Sequence, residues 1–164
     1  MATEYAILAK LGGFIGSNPE IISFFPPLNS VSEEKEILYK CFPIGSKVGE
    51  IIEDKYTKYL VLSYIFKVQQ KGDRDDLFSF SILLHKRDKV EIYKYILKEL
   101  MERLELKGLL NEAILSKYHK EIYNGINQEI NVYIENELIN FSNIFKNIKN
   151  KLLKQKPQLK GSFF

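Results

Sequence analysis

From Glu4 to Leu11, Tyr5, Ile7, Ala9 and Leu11 share one side of an alternating pattern, which predicts a strand. Glu20 to Phe25 predicts a second strand. Gly12, Gly13, Gly16, Ser17, Asn18 and Pro19 lie between them, so a hairpin with a long, glycine-eased turn is expected. Pro26 and Pro27 end the second strand because neither has an N–H to give to a ladder. Ser32, followed by Glu33 and Glu34, marks a helix start: the hydroxyl can accept from a free backbone N–H, and the acids suit the positive helix end. This helix is expected to reach about Lys40, with Ile37, Leu38 and Cys41 inward, before Pro43 and Gly45 stop it.

Val48 to Ile52 predicts a short strand and Asp54-Lys55 a turn. Thr57 to Val68 is apolar at both its even positions (Leu60, Leu62, Tyr64, Phe66, Val68) and most of its odd ones (Tyr59, Val61, Ile65, with Ser63 among them). Such a strand needs a layer on each side. Gln69 to Asp75 is a polar hairpin loop, and Leu77 to Leu84 the next strand, with small Ser79 and Ser81 on one face. Asp88 opens a long helix whose stripe is Val90, Tyr93, Leu97, Leu100, Met101 and Leu104, ended at Lys107-Gly108. Asn111 caps another, with stripe Ile114, Leu115, Tyr118 and Ile122, broken or bent at Asn124-Gly125. From about Ile126 a last helix is expected. Ile130, Ile134, Leu138, Phe141, Phe145, Ile148 and Leu152 follow one another at steps of three or four, a narrow seam close to heptad spacing.

These elements predict an α/β (α+β) fold: a five-stranded antiparallel sheet in β-β-α-β-β-β-α-α order, a short helix on one face, two long helices on the other, and an additional long C-terminal helix. The expected division is a domain over 1–123, an amphipathic helix over 124–154 and a flexible basic tail over 155–164, where Pro157 and Gly161 favour fraying.

Length and composition change little in this picture. The 164 residues suit one domain, and 45% hydrophobic with 13% aromatic content excludes disorder over most of the chain. Charge adds an asymmetry hidden in the net +3. Residues 138–164 hold six lysines and no acid, leaving 18 basic and 21 acidic groups elsewhere. A basic end on an acidic body suggests an anionic partner, while lysines late in a helix also suit its dipole. Cys41, the single cysteine, excludes an intrachain disulfide and reads as a small core residue of a reducing compartment. No leader-like start and no long apolar run is visible, so a cytoplasmic protein, peripheral to a membrane at most, is expected.

Catalytic chemistry finds little footing. His85 closes a strand and His119 lies mid-helix, neither in a motif, and one cysteine with two scattered histidines does not make a zinc site. Asp73-Arg74-Asp75-Asp76 could attract a hard cation but lacks an EF-hand spacing, and a solvated turn is the simpler reading. Gly12-Gly13-Phe14-Ile15-Gly16 is neither a dinucleotide nor a Walker pattern. No catalytic, cofactor or metal residues are assigned, nucleic acid is not an expected partner, and the chain is expected not to be an enzyme.

The element order, with three stretches, resembles longin domains, most closely those that open DENN-type and nitrogen-permease-regulator-type proteins. The stretches are Tyr5-Ala6-Ile7-Leu8 through Gly16 and Pro19 to Phe24-Phe25-Pro26, then Cys41-Phe42-Pro43-Ile44-Gly45, then Leu62-Ser63-Tyr64-Ile65-Phe66 with Arg74-Asp75-Asp76-Leu77 and Ser81-Ile82-Leu83-Leu84. The likeness covers about residues 4–123. It implies a non-catalytic adaptor that binds a small GTPase or a partner longin- or roadblock-like protein in trafficking or nutrient signalling, and a stand-alone form fits an archaeal relative. The C-terminal helix departs from that pattern. Homodimer formation and weak contact of this helix with an anionic membrane are further options. The alternative reading is a PAS-like small-molecule sensor with a pocket between sheet and helices. The candidate partner or membrane interface is Ile134, Leu138, Phe141, Phe145, Ile148, Lys149 and Leu152. Its seam has three fates open to it: packing on the sheet domain, pairing with a partner helix, or lying on a membrane.

Overall fold

A computed structural model describes residues 3–11, 18–27, 31–42, 47–68, 75–86 and 88–161. Its elements are β1 (Thr3–Leu11), β2 (Glu20–Phe25), α1 (Val31–Cys41), β3 (Ile51–Tyr56), β4 (Tyr59–Val68), β5 (Asp76–His85), α2 (Val90–Leu106), α3 (Glu112–Lys117), α4 (His119–Gln128), β6 (Val132–Ile134), β7 (Glu137–Ile139) and α5 (Phe141–Gly161). The five longer strands form one antiparallel sheet in the order β2-β1-β5-β4-β3. The expected α/β class, sheet and C-terminal helix are therefore present. The glycine-rich turn at 12–17 and the hairpin tip at 69–74 lie outside the described residues, although the strands on each side of both pair as expected.

Strand periodicity assigns each layer its residues. Ile7, Ala9, Val61 and Leu83 point to one face, where α1 covers them with Ile37 and Cys41. Ala6, Leu8, Leu62, Tyr64, Phe66, Phe78, Phe80, Ile82 and Leu84 point to the other, beneath α2, α4 and α5. The three inner strands are apolar on both faces because both faces are covered.

Several local expectations change. Asp54 and Lys55 lie inside β3, and the turn falls at Thr57-Lys58, closed by the Tyr56–Tyr59 pair. Polar residues are cheap at that position because β3 is an edge strand: Asp54 meets Lys40 at 3.6 Å and Glu53 meets Lys94 at 2.6 Å. Asp88 acts before α2 rather than within it, its carboxylate accepting from the His85 N–H at 3.1 Å. The inward stripe of α2 also includes Ile92 and Ile96. Asn111 caps α3 as expected, accepting from the Ile114 N–H at 3.0 Å, and Gly108 after α2 takes φ +70°.

The largest correction concerns 124–154. Asn124 and Gly125 sit inside α4, the helix break is at Tyr118, and no helix begins at Ile126. Residues 132–139 instead form the β6–β7 hairpin, whose two turn residues, Glu135 and Asn136, both have positive φ (46° and 70°). α5 starts after it, with Asn140 accepting from the Asn143 N–H at 3.1 Å. It then continues through Gly161, past the expected end at 154. Pro157 removes one backbone donor without ending it.

Gly125 is where α4 meets the start of α5. A Cβ there would sit 2.6 and 2.7 Å from two ring carbons of Phe141. Alanine would gain ~1 kcal/mol of helix propensity, but overpacking against a buried ring costs ~1–3 kcal/mol. Gly125→Ala is expected to lower stability by up to about 2 kcal/mol in denaturant melts. A gain would show that the ring has room to retreat.

Candidate interaction surfaces

The two histidines separate in role. His119, 4% exposed, reaches from α4 to the sheet. Its Nε2 is 2.7 Å from the Ala6 carbonyl oxygen, and its Nδ1 is 2.7 Å from Ser23 Oγ. A carbonyl only accepts, so Nε2 carries the proton and Nδ1 accepts from the serine. Burial pushes the pKa of this ring down, against an opposing lift from the Ala6 hydrogen bond. Both nitrogens are thus occupied in joining α4 to β1 and β2, which is a structural use. As pH falls through ~6.5 the unfolded chain takes the proton before the folded one does, so stability present above that pH declines until the lower folded pKa is passed. His119→Leu is expected to cost about 2 kcal/mol at neutral pH, from the stranded Ala6 and Ser23 groups. It should also flatten the pH dependence of the denaturant midpoint between neutral and mildly acidic pH. An unchanged slope would assign that dependence elsewhere.

Beneath α1, Ser63 Oγ lies 2.6 Å from Ser81 Oγ, which lies 2.9 Å from Ser79 Oγ. These small side chains fill a fully buried strip and satisfy one another. Cys41 is buried beside them. Burial raises its thiol to about 12, with a hydrogen bond to Ser81 acting the other way. Such a thiol is not a nucleophile near neutral pH. The acidic tip is dispersed among the described residues: Asp75 meets Lys67 at 3.7 Å and Asp76 meets Lys10 at 3.5 Å. No cluster of three or more metal-ligating side chains occurs among the described residues.

The seam divides. Phe141, Phe145 and Ile148 are buried in the main core together with Ile144, and Phe145 meets Tyr93 of α2 edge-on at 5.9 Å. Ile134, on the inner face of the β6–β7 hairpin, is buried in the same core. Of the three fates open to the seam, these four residues take packing on the sheet domain: Phe141, Phe145 and Ile148 through the apolar stripe of α5, and Ile134 through the inner face of β6. Leu152 is half-buried and Leu138 is 45% exposed. Lys149 is exposed and bonds Glu129 at 2.6 Å. The helix-pairing pattern was an accident of spacing: Leu138 faces outward with its cross-strand neighbour Tyr133, opposite to Ile134 and Ile139.

What remains at the surface is more specific than a seam. β2 is an edge strand, apolar on both faces, with no strand partner on its outer side among the described residues. Leu106 (85% exposed), Tyr133 (67%) and Leu138 form a second apolar set, and Leu106 and Leu138 line one hollow with Leu109 between Arg103, Lys107 and Glu137. Sequence periodicity missed Leu106 and Tyr133 because each falls off the buried stripe of its element, which is itself the signal that could have found them. A 440 Å³ hollow opens where Tyr64 and Phe66 of β4 meet Glu105, Gly108, Leu110 and Asn111. Another, of 370 Å³, lies between α2 and α5, walled by Ile92, Tyr93, Leu152 and Leu153. No helix among the described residues is long and apolar enough to cross a membrane. Comparison with protein-family models finds no match, and comparison with curated proteins finds no relative.

Proposed function

We propose that this chain is a non-catalytic adaptor of longin type that binds a small GTPase or a partner longin- or roadblock-like protein. The observation that carries the reading is the sheet: its strands and helices follow the element order that the resemblance implies, through α2 and the α3–α4 pair. Both faces of that sheet are filled by packed side chains, which leaves its edges to receive partners. The two edges differ. β3 presents Glu53, Asp54 and Lys55 and is tied to α2 and α1 by ion pairs, which discourages another strand. β2 presents Ile21, Ile22, Phe24 and Phe25, so strand addition, including a homodimer, is assigned to β2.

The direct test is a pull-down of candidate small GTPases loaded with GDP or with a GTP analogue, using the whole chain as bait. Binding in either state that is lost in Ser23→Pro, whose thermal melt shows it still folded, supports the reading. Absence of binding in both states at high protein concentration removes the GTPase version. Light scattering addresses self-pairing, and a monomer at high concentration leaves only the heteromeric form.

One observation favours the sensor reading enough to keep it second. The hollow beside Tyr64 and Phe66 lies where sheet and helices meet, the position such a sensor would use. Native mass spectrometry showing a stoichiometric bound small molecule would exchange the two.

A further inference from the structure

The basic excess at the end of the chain acquires a definite address once α5 is seen to be docked. Its apolar residues Phe141, Ile144, Phe145 and Ile148 face the core, so Lys146, Lys149, Lys151 and Lys154 stand on the outer side. The helix contains no acid and no arginine. Lys149 is held by Glu129, whereas Lys146, Lys151 and Lys154 make no ion pair among the described residues. Of the acids lining the α2–α5 grooves, Glu91 faces Lys94 at 3.7 Å and Asp88 accepts from His85, while exposed Glu50 shares a groove with Lys151 and offsets part of its charge. Leu153, between Lys151 and Lys154 in sequence, is 57% exposed at the rim of the 370 Å³ hollow. Half-buried Leu152 lines the same hollow.

We propose that the outer face of α5 from Lys146 to Lys154 docks on an anionic phospholipid bilayer, with Leu153 entering the interface. The kind of charge separates this occupant from others. Protein interfaces are depleted in lysine and enriched in arginine and aromatics. Bidentate recognition of nucleic-acid phosphates and bases favours arginine. Lysines without ion pairs on a helix that also exposes one leucine match a diffuse negative surface with an apolar layer beneath it. Charge complementarity also sets the orientation, since the rest of the chain carries 21 acids against 18 bases and is repelled by the same surface. The inference stands apart from the adaptor reading and survives or fails without it.

The test is co-sedimentation of the full chain with vesicles of phosphatidylcholine alone and of phosphatidylcholine with phosphatidylserine in a three-to-one mixture, at low and physiological ionic strength. Binding is expected only with phosphatidylserine and should weaken with salt. The Lys146→Gln, Lys151→Gln, Lys154→Gln variant should lose roughly a hundredfold in affinity, at about one lysine's worth of attraction per residue removed. Leu153→Ser should lose several-fold while its salt dependence stays. All four positions are exposed, and an unchanged thermal midpoint checks that the variants fold. Absence of phosphatidylserine-dependent binding in the parent chain overturns the proposal, as does a triple variant that sediments like the parent. Equal binding to soluble polyglutamate, with Leu153→Ser indistinguishable from the parent on vesicles, also overturns it in favour of an acidic protein.

Discussion

The Phe141→Asp, Phe145→Asp double variant is expected to show no cooperative unfolding transition. Both rings are at most 1% exposed, one packed against Gly125 of α4 and the other edge-on to Tyr93 of α2. Removing a buried phenylalanine costs ~3–5 kcal/mol. An isolated carboxylate in its place adds a penalty of several kcal/mol or is forced to stay protonated. Two such changes exceed the ~5–15 kcal/mol by which domains are stable. Circular dichroism across a thermal ramp reads the result. A variant that melts cooperatively and differs from the parent in self-association alone would show that α5 leaves the body in solution and that its seam is an interface after all.

Phe80→Ala is expected to destabilise more than Phe66→Ala, by about 4–5 against about 3 kcal/mol, within the span known for phenylalanine truncation in cores. Both rings lie on the same sheet face and both are almost fully buried. Their surroundings differ. Phe80 belongs to the central strand, opposite Leu8 on one side and Tyr64 on the other, with the His119 ring 5.5 Å away. A cavity there would be enclosed and tied to a buried polar link that resists collapse. Phe66 stacks on Phe78 at 5.3 Å but also lines the hollow toward Gly108 and Leu110, where water can enter or side chains can shift. Denaturant titrations of the two variants decide this. Equal losses would mean that the hollow is closed in solution.

Much of the architecture was legible from local pattern. The bounds of β2, the two-sided apolar character of β4 and β5, the inward stripe of α2, and the cap at Asn111 all follow from periodicity and end chemistry. Such signals are properties of neighbours in the chain, so sequence suffices for them. The errors arose where one pattern serves two structures. Ile130, Ile134 and Leu138 fall at helical spacing, yet Val132–Ile134 and Glu137–Ile139 are strands joined by two left-handed residues, one a glutamate that carries no turn preference. Asn124-Gly125 has the composition of a break, but here glycine is required by the approach of Phe141, a residue 16 positions away in the chain.

The same division governs the candidate surfaces. Sequence alone determined that residues 138–164 are lysine-rich and acid-free and carry an apolar stripe. Tertiary structure decided which part of that stretch is available. Once α5 lies along α2 and α4, Phe141, Phe145 and Ile148 lose their water and Leu153 keeps it, although all four are apolar residues of one helix. Tertiary structure likewise gave His119 its role, because its partners Ala6 and Ser23 lie 113 and 96 residues away in the chain. Periodicity reports that a side chain needs an apolar neighbour; which neighbour arrives, and what is left uncovered, depends on contacts between distant segments that exist only when the whole chain has folded.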